Sequence, residues 1–288
     1  MLTYSQAFYE LKNKLNILYD ERESEAIAHE LLFHITGHNK TERLLKKEQQ
    51  LTEKQQTQYE QATNELLNGR PLQYVTGSAW FMGRKYYVNE SVLIPRPETE
   101  ELVQWILEDS KFQIPNSKFR IFDIGTGSGC IPISLKLTLT QSEVITCDIS
   151  SDALQVAKDN ANRLQANIQL LQLDFLDTSQ HNKLSVYDVI VSNPPYIPFS
   201  EKRRMHVNVT EHEPGIALFV PDEDALIFYR AIALFGKTHL NSNGYIYCEL
   251  DSAHAVACKA LFEDNGYKNV EIRKDVHGNW RMLKAGMS

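Results

Sequence analysis

The sequence contains few cysteines and no long apolar run, and both shortages narrow the class of protein. Its 288 residues include four cysteines, none in a C-x-x-C pair, so neither a disulfide framework nor a zinc ribbon is expected. Cys147 and Cys248 lie in apolar, strand-like runs and are expected to be reduced and buried. No stretch approaches the ~20 apolar residues of a membrane span, and polar residues interrupt the first segment before a secretory core forms. We therefore expect a cytoplasmic protein without membrane contact.

Basic charge is also scarce, which argues against nucleic acid as a direct partner. The net charge is −7; residues 1–82 hold nine Lys and Arg against eleven Asp and Glu, and the remainder holds 21 against 26. Phosphate neutralisation dominates affinity for DNA, and neither part has the basic excess that this requires. The only compact basic cluster of the second part is Lys202-Arg203-Arg204.

The histidines do not indicate a metal site. His34 and His38 are four residues apart, but Gly37 interrupts the helical turn between them and no acid completes a ligand set. We expect exposed or capping histidines instead.

Residues 1–72 carry the periodicity of amphipathic helices and no chemical motif. Thr3 precedes the first helical pattern as an N-cap, Gly37 ends the second, and Thr52 with Gln55 resembles a capping box before the third. This pattern predicts a small helical domain that recognises a partner or packs as a lid. Residues 73–94 contain strand formers, including Tyr74-Val75, separated by turn glycines, and predict a β-hairpin linker.

Strand and helix patterns alternate in residues 95–288, which predicts an α/β fold with a parallel sheet covered on both faces. Near the end, two strand patterns flank the turn residues Gly278-Asn279, so the sheet is expected to finish with an antiparallel hairpin. The predicted strands are residues 120–124, 143–147, 168–173, 187–192 and 244–250, followed by the hairpin strands 268–274 and 280–284.

A glycine-rich turn follows the first of these strands. In Asp123-Ile-Gly-Thr-Gly-Ser-Gly129 the glycines allow close approach of a ligand to backbone N–H groups at the start of a helix. The spacing G-x-G-x-G differs from the dinucleotide fingerprint G-x-G-x-x-G, and no Lys-Ser/Thr follows as in a P-loop. A dinucleotide oxidoreductase and a P-loop nucleotidase are therefore disfavoured.

Two further strands end in acids that suit the same ligand. Asp148 lies 21 residues after Gly127 and can accept both ribose hydroxyl protons, although it can instead cap the next helix. Asp174 can hold an adenine amino group and Phe175 can cover the ring, or they are an ordinary loop acid and a core aromatic. Because the carboxyl ends of parallel strands share one edge of the sheet, the set favours an adenosyl group with an amino-acid tail.

Asn193-Pro194-Pro195-Tyr196 directly follows the fourth strand, 68 residues beyond Gly125. The prolines fix the backbone and leave carbonyls without competing N–H groups. The Asn193 side-chain oxygen and the Pro194 carbonyl can accept the two hydrogens of a planar –NH2 group, while Tyr196 offers a flat apolar face. Such acceptors stabilise the positive charge that develops on nitrogen as a methyl group arrives, and the rest of the chemistry is in-line positioning. The alternative is a proline-rich turn that only ends a strand.

These motifs resemble those of the HemK/PrmC family, the release factor glutamine N5-methyltransferases, over nearly the whole chain. The most discriminating stretch is Leu93-Ile-Pro-Arg-Pro-Glu-Thr-Glu100, because N-P-P-Y alone is shared with adenine-N6 and other amino-methyltransferases. Departures from many relatives are Asp251, where they have glycine, and Pro132, where they have alanine. The other matching positions are Pro71–Tyr74 with Gly77, Asp123–Gly129, Asp148, Asp174-Phe175, Asn193–Tyr196, Glu213-Pro214 with Ala217-Leu218, Glu249, Asp275, Gly278 and Arg281.

The resemblance implies a class I (Rossmann-like) methyltransferase domain at 95–288 and a release-factor-binding domain at 1–72. By that resemblance Asn193, Pro194 and Tyr196 act in catalysis, and Pro195 joins them in binding the glutamine of a Gly-Gly-Gln motif. Arg96, Thr99 and Glu100 would lie near the cofactor, but Pro97 at a first helical position with acids after it is equally typical of a helix start. S-adenosyl-L-methionine would be held by Gly125, Thr126, Gly127, Ser128, Gly129, Asp148, Asp174, Phe175 and Asn193.

The main alternative is a DNA adenine-N6 methyltransferase, which would need a basic target-recognition region that the charge balance does not supply. A non-catalytic binding protein of the same fold would be expected to have lost Asn193 or the glycine loop, and both are intact. We therefore expect a monomeric enzyme with a protein substrate and no metal.

Overall fold

In a computed structural model that describes residues 1–109 and 118–287, the chain divides into two compact units. The first comprises Met1–Ser78 together with His206–His212. The second comprises the described residues from Ala79 to Met205 and from Glu213 onward. The inclusion of 206–212 in the first unit was not predicted, because local composition carries no information about contacts between distant segments.

The first unit is helical, and the predicted helix ends are confirmed. The Thr3 hydroxyl accepts from the Gln6 N–H while the Gln6 side chain accepts from the Thr3 N–H, and Thr52 with Gln55 forms the same capping box. Gly37 ends the second helix in the left-handed conformation. The helices before residue 79 are α1 Tyr4–Leu15, α2 Glu21–Thr36, α3 Lys40–Leu45, α4 Glu53–Leu67 and α5 Leu72–Val75.

The segment 206–212 belongs to the first unit through contacts with its helices. The Asn208 side-chain amide donates to the Tyr19 hydroxyl at 2.5 Å, and the His206 ring lies nearly parallel to the Tyr19 ring. A Cβ on Gly69 would lie 3.1 Å from the Asn208 side-chain oxygen, so this glycine permits the close approach.

The strand predicted for Tyr74-Val75 is wrong, because both residues lie in α5. Pro71 begins this single turn, and Tyr74 is buried, so packing overrides the strand propensity of the two side chains. The hairpin lies further on, as strands β1 Ala79–Phe81 and β2 Arg84–Tyr86. Its turn residues Met82 and Gly83 both have positive φ, as a two-residue type I′ hairpin turn requires.

The second unit contains a seven-stranded sheet. Its strands are β3 Arg120–Ile124, β4 Glu143–Asp148, β5 Gln169–Gln172, β6 Tyr187–Ser192, β9 Leu240–Glu249, β10 Lys268–Lys274 and β11 Trp280–Gly286, with β7 Ile197–Pro198 paired to β8 Phe219–Val220 outside the sheet. Their spatial order is β10-β11-β9-β6-β3-β4-β5. The strands β3, β4, β5, β6 and β9 are parallel, and β11 pairs antiparallel with β9 and β10, which confirms the predicted doubly wound sheet with a closing hairpin.

The remaining helices are α6 Pro97–Glu108, α7 Cys130–Thr138, α8 Ser151–Leu164, α9 Val207–His212 (in the first unit), α10 Ile227–His239 and α11 Ala255–Asp264. Helices cover both faces of the sheet. Side chains from α10 and α11 pack into one apolar core, and side chains from α6 and α7 pack into the other. All four cysteines are buried and free, and burial was predicted for Cys147 and Cys248.

The described residues include no helix that is both long enough and apolar enough to cross a bilayer. The same part of the chain contains no cluster of three or more His, Cys, Asp or Glu side chains suited to hold a metal ion.

Candidate active site

A cavity of about 280 Å³ lies at the carboxyl ends of β3, β4 and β6. Open parallel sheets commonly bind ligands at this edge. Most residues predicted from sequence meet there. They are Arg96, Thr99, Gly125, Thr126, Gly127, Ser128, Asp148, Asp174, Phe175, Asn193, Pro194 and Pro195.

The glycine loop needs glycine for two different reasons. Gly125 and Gly127 have positive φ and line the cavity, where a Cβ would meet no atom within 4 Å. Gly129 also has positive φ, but it does not line the cavity. A Cβ there would lie 2.9 Å from Ile133 Cδ1 and 3.2 Å from Ala157 Cβ. The first two glycines therefore shape the cavity wall, whereas Gly129 permits α7 to pack closely on α8.

Asp148 ties this loop to the neighbouring strand. Its Oδ2 accepts from the Gly127 N–H at 2.9 Å and its Oδ1 accepts from the Ser150 N–H at 3.0 Å. Burial raises the pKa of Asp148, and these backbone donors oppose the rise. The N-cap of α8 is Ser150, whose hydroxyl accepts from Ala153 N–H, so the alternative of a simple helix cap does not describe Asp148.

Asp174 and Phe175 form another part of the cavity wall. The Asp174 Oδ1 accepts from the Leu176 N–H at 3.0 Å. Phe175 is buried and packs edge-on against Phe235. Phe175 is thus at once a core residue and a cavity residue, and its contact with an adenine ring stays a prediction.

Asn193 begins a chain of hydrogen bonds that leads away from the cavity. Its side-chain amide donates to the Thr99 Oγ1 at 3.1 Å, and the Thr99 hydroxyl donates to Glu249 Oε2 at 2.6 Å. Tyr196 does not line the cavity. Its hydroxyl donates to the other carboxylate oxygen, Glu249 Oε1, at 3.3 Å. The N-P-P-Y segment is therefore anchored through one buried carboxylate, which motif spacing alone did not reveal.

Arg96 and Glu100, predicted together, face different surroundings. Arg96 lines the cavity and pairs with the buried carboxylate of Glu213, which also accepts from the Ile94 N–H at 3.1 Å. Glu100 lies outside the cavity, where its Oε1 accepts from the Met82 N–H at 2.6 Å. Glu100 thus holds the β1–β2 turn to α6.

Sequence reasoning missed several apolar wall residues. Ile149 and Leu176 follow Asp148 and Phe175 directly, line the cavity and remain 45% and 37% exposed. A large apolar side chain just after a strand-end acid is a signal that was available in the sequence. The other wall residues outside the predicted set are Ser91, Val92, Leu93, Pro95, Ile124, Cys130, Ile131, Cys147, Ser150, Ala153, Leu173, Ser192, Ile216, Ala217 and Phe228.

Two hydroxyl groups beside the glycine loop are buried in the cavity wall. Thr126 Oγ1 and Ser128 Oγ have no hydrogen-bond partner of normal geometry among the described residues. Behind them, burial raises the pKa of Asp123 to about 7, and the Thr146 hydroxyl that donates to Asp123 Oδ2 opposes the rise. Buried polar atoms are usually paired, so a ligand with polar groups at this end of the cavity fits the site.

Comparisons with known proteins identify the family of the chain. Residues 106–212 match the model of the family described as methyltransferase small domain, and residues 10–77 match that of the PrmC N-terminal domain. The chain is 39% identical over 268 residues to the release factor glutamine methyltransferase of Flavobacterium psychrophilum, covering 93% of both chains. It is 38% identical over 275 residues to the protein of the same name from Bacteroides thetaiotaomicron, covering 96% and 97%.

A solved methyltransferase from Pyrococcus furiosus has a TM-score of 0.53 and 17% identity, covering 72% of this chain and 90% of that one. At this identity the likeness supports the fold alone, which is the class I, Rossmann-like methyltransferase fold.

Proposed function

The chain belongs to the family of release factor glutamine methyltransferases, and on that premise we propose that it methylates the side-chain amide nitrogen, N5, of a glutamine in a peptide chain release factor. The methyl donor is S-adenosyl-L-methionine and the products are N5-methylglutamine and S-adenosylhomocysteine. The acceptor is the glutamine of a Gly-Gly-Gln motif. The observation that carries this proposal is that Asn193 and Pro194 line the same cavity as Gly127, Asp148 and Asp174.

The cavity residues suit each part of the donor. Asp148 would accept from the ribose hydroxyls, and Asp174 with Phe175 would bind the adenine. The buried hydroxyls of Thr126 and Ser128, next to the glycine loop, would bind the amino-acid tail. When bound, S-adenosyl-L-methionine supplies an electrophilic methyl group on a positively charged sulfur.

Asn193 and Pro194 activate the acceptor in this proposal. An amide nitrogen is a poor nucleophile because its lone pair is delocalised into the carbonyl. The Asn193 side-chain oxygen and the Pro194 carbonyl accept one amide hydrogen each, which favours electron density on nitrogen and stabilises the positive charge that develops there. They also fix the amide in line for attack, which removes much of the entropic barrier.

No strong base is needed at the nitrogen, because the proton that it carries after transfer is acidic and leaves afterwards.

The proposal is tested by methyl transfer from labelled S-adenosyl-L-methionine. Three acceptors are offered in parallel: an intact bacterial release factor, the same factor with its Gly-Gly-Gln glutamine replaced by alanine, and duplex DNA. Label on the intact factor alone supports the proposal, and mass spectrometry then locates the methyl group. Label on DNA would indicate an adenine methyltransferase, and equal labelling of both factors would exclude the glutamine as acceptor.

A further inference from the structure

The hydrogen-bond chain from Asn193 through Thr99 to Glu249 has a defined direction. Thr99 has one hydroxyl proton, and its Oγ1 lies 2.6 Å from Glu249 Oε2, so an ionised Glu249 takes that proton as the hydrogen-bond acceptor. Thr99 can then only accept from Asn193, as it does at 3.1 Å. The NH2 group of Asn193 is therefore held at Thr99, and its carbonyl oxygen is turned to the opposite side.

We propose that Thr99 and Glu249 are positioning residues that keep the Asn193 carbonyl oxygen toward the acceptor nitrogen. This inference rests on the proposed function, because it explains how Asn193 is held as an acceptor of hydrogen bonds. An asparagine has nearly the same shape with its two ends exchanged. Without these hydrogen bonds, the Asn193 NH2 group would face the acceptor nitrogen for part of the time. It would then repel the hydrogens of the acceptor amide.

The donor-to-acceptor direction of these hydrogen bonds depends on the charge of Glu249. An ionised carboxylate only accepts, so it orders Thr99 as a donor toward it and Asn193 as a donor toward Thr99. A protonated Glu249 can donate to Thr99 Oγ1, which frees the Thr99 proton for the Asn193 oxygen. Asn193 can then rotate its NH2 group toward the acceptor. The ionised state of Glu249 is therefore the active state.

Glu249 is buried, with charged and titratable groups on every neighbouring element. The Tyr196 hydroxyl, just after β6, donates to Glu249, and this hydrogen bond and the positive charge of Arg281 on β11 both lower the pKa of Glu249. The negative charge of Glu98 on α6 raises it. Cys130 on α7 and Tyr229 on α10 also interact electrostatically with Glu249. Burial dominates these influences and raises the pKa of Glu249 to about 7. Its ionisation is thus expected within the pH range of an ordinary assay.

The first test compares Thr99→Val with Thr99→Ser. Valine has the shape of threonine but neither accepts nor donates, whereas serine keeps the hydroxyl. At saturating cofactor we expect roughly a tenfold loss of kcat for Thr99→Val, on the order of one lost hydrogen bond, and near-normal kcat for Thr99→Ser. Thr138→Val, which removes a hydroxyl that donates to the Ser134 carbonyl of the same helix, is the matched control.

The second test is the pH profile of kcat at saturating cofactor for the native enzyme and Glu249→Gln. We expect the native kcat to fall on the acid side of about pH 7, because protonation of Glu249 permits the hydrogen bonds from Asn193 through Thr99 to reverse their direction. Glutamine at this position does not titrate, so the acid limb should disappear in Glu249→Gln, while thermal unfolding checks that the variant is folded.

Native kcat in Thr99→Val, an equal loss in Thr99→Ser, or an unchanged acid limb in folded Glu249→Gln would each overturn the inference. These outcomes are distinct from failure of the proposed function, in which the native enzyme itself does not label the release factor.

Discussion

Asn193 concentrates the proposed chemistry in one amide oxygen at the end of β6. We expect Asn193→Ala to lower kcat for the release factor by roughly 10²-fold or more, the usual effect of losing one group aimed at developing charge. Cofactor affinity should change much less, because in the proposed site other wall residues would supply most contacts to the cofactor. Steady-state kinetics and calorimetric titration of the cofactor separate the two effects.

Asn182→Ala is a matched control for this substitution, because Asn182 is exposed and its side-chain amide donates to the Ser179 carbonyl in its own turn. Native activity in Asn193→Ala would exclude Asn193 as the group that orients the amide.

Asp148 is expected to contribute to affinity rather than to rate. Asp148→Ala removes a carboxylate that would accept from the ribose and that also holds the Gly127 N–H. We expect the Kd for S-adenosyl-L-methionine to rise by roughly 10- to 100-fold, since hydrogen bonds to a charged group contribute about 1.5–3 kcal/mol. Calorimetry measures this, with Asp152→Ala, an exposed acid in the first turn of α8, as control. An unchanged Kd would show that Asp148 does not bind the ribose and that another residue does.

Cavity residues at the ends of strands could be predicted from the sequence, because the carboxyl ends of parallel strands share one edge of the sheet. Asp148 and Asn193 were found in this way. The surroundings of Thr99 and Glu100 were not predictable together. Neighbouring helical residues point about 100° apart, so α6 directs Thr99 into the cavity and Glu100 toward Met82. The partner of Tyr196 also depends on β9, which lies far along the chain.

Close packing of α7 on α8 can be tested separately from ligand binding through Gly129. Gly129→Ala adds a methyl group at positive φ that would lie 3.2 Å from Ala157 Cβ and 3.3 Å from Ala157 Cα of α8. We expect the free energy of unfolding to fall by about 2–4 kcal/mol, since backbone strain adds to overpacking. Chemical unfolding without cofactor measures this change.

Gly83→Ala is the matched control, because Gly83 has similar positive φ but no atom within 4 Å of the added carbon. It should cost about 1 kcal/mol from backbone conformation alone. Equal losses in the two variants would show that helix packing does not explain Gly129.

The elements that sequence reasoning predicted well are those with one dominant local signal. Apolar runs located the sheet strands, and capping residues located α1 and α4. Two features required knowledge of distant contacts. The Tyr74-Val75 segment is helical because Tyr74 is buried in the first unit, and β9 begins at Leu240, before the predicted Gly244, because Leu240 pairs with Tyr187 of β6.

Over the whole molecule, the buried carboxyl of Asp123 should make stability depend on pH. Burial raises the pKa of Asp123 from 3.8 to about 7 in the folded chain. An acid with a raised folded pKa binds its proton more tightly when folded, so its stabilising contribution is complete below about pH 4 and is lost as pH rises toward 7. Each pKa unit corresponds to about 1.4 kcal/mol, so the loss is at most about 4 kcal/mol.

Asp123→Asn removes this dependence, since its side chain stays neutral and still accepts from the Thr146 hydroxyl. The difference in free energy of unfolding, variant minus native, should therefore increase by a few kcal/mol in favour of the variant between pH 4 and pH 8. Urea unfolding without cofactor at a series of pH values measures it. Exposed Asp152, changed to asparagine, should give no comparable increase. A difference that stays constant across this range would mean that ionisation of Asp123 does not oppose folding. Another interaction would then have to offset the free-energy cost of burying the charged carboxylate beside the glycine loop.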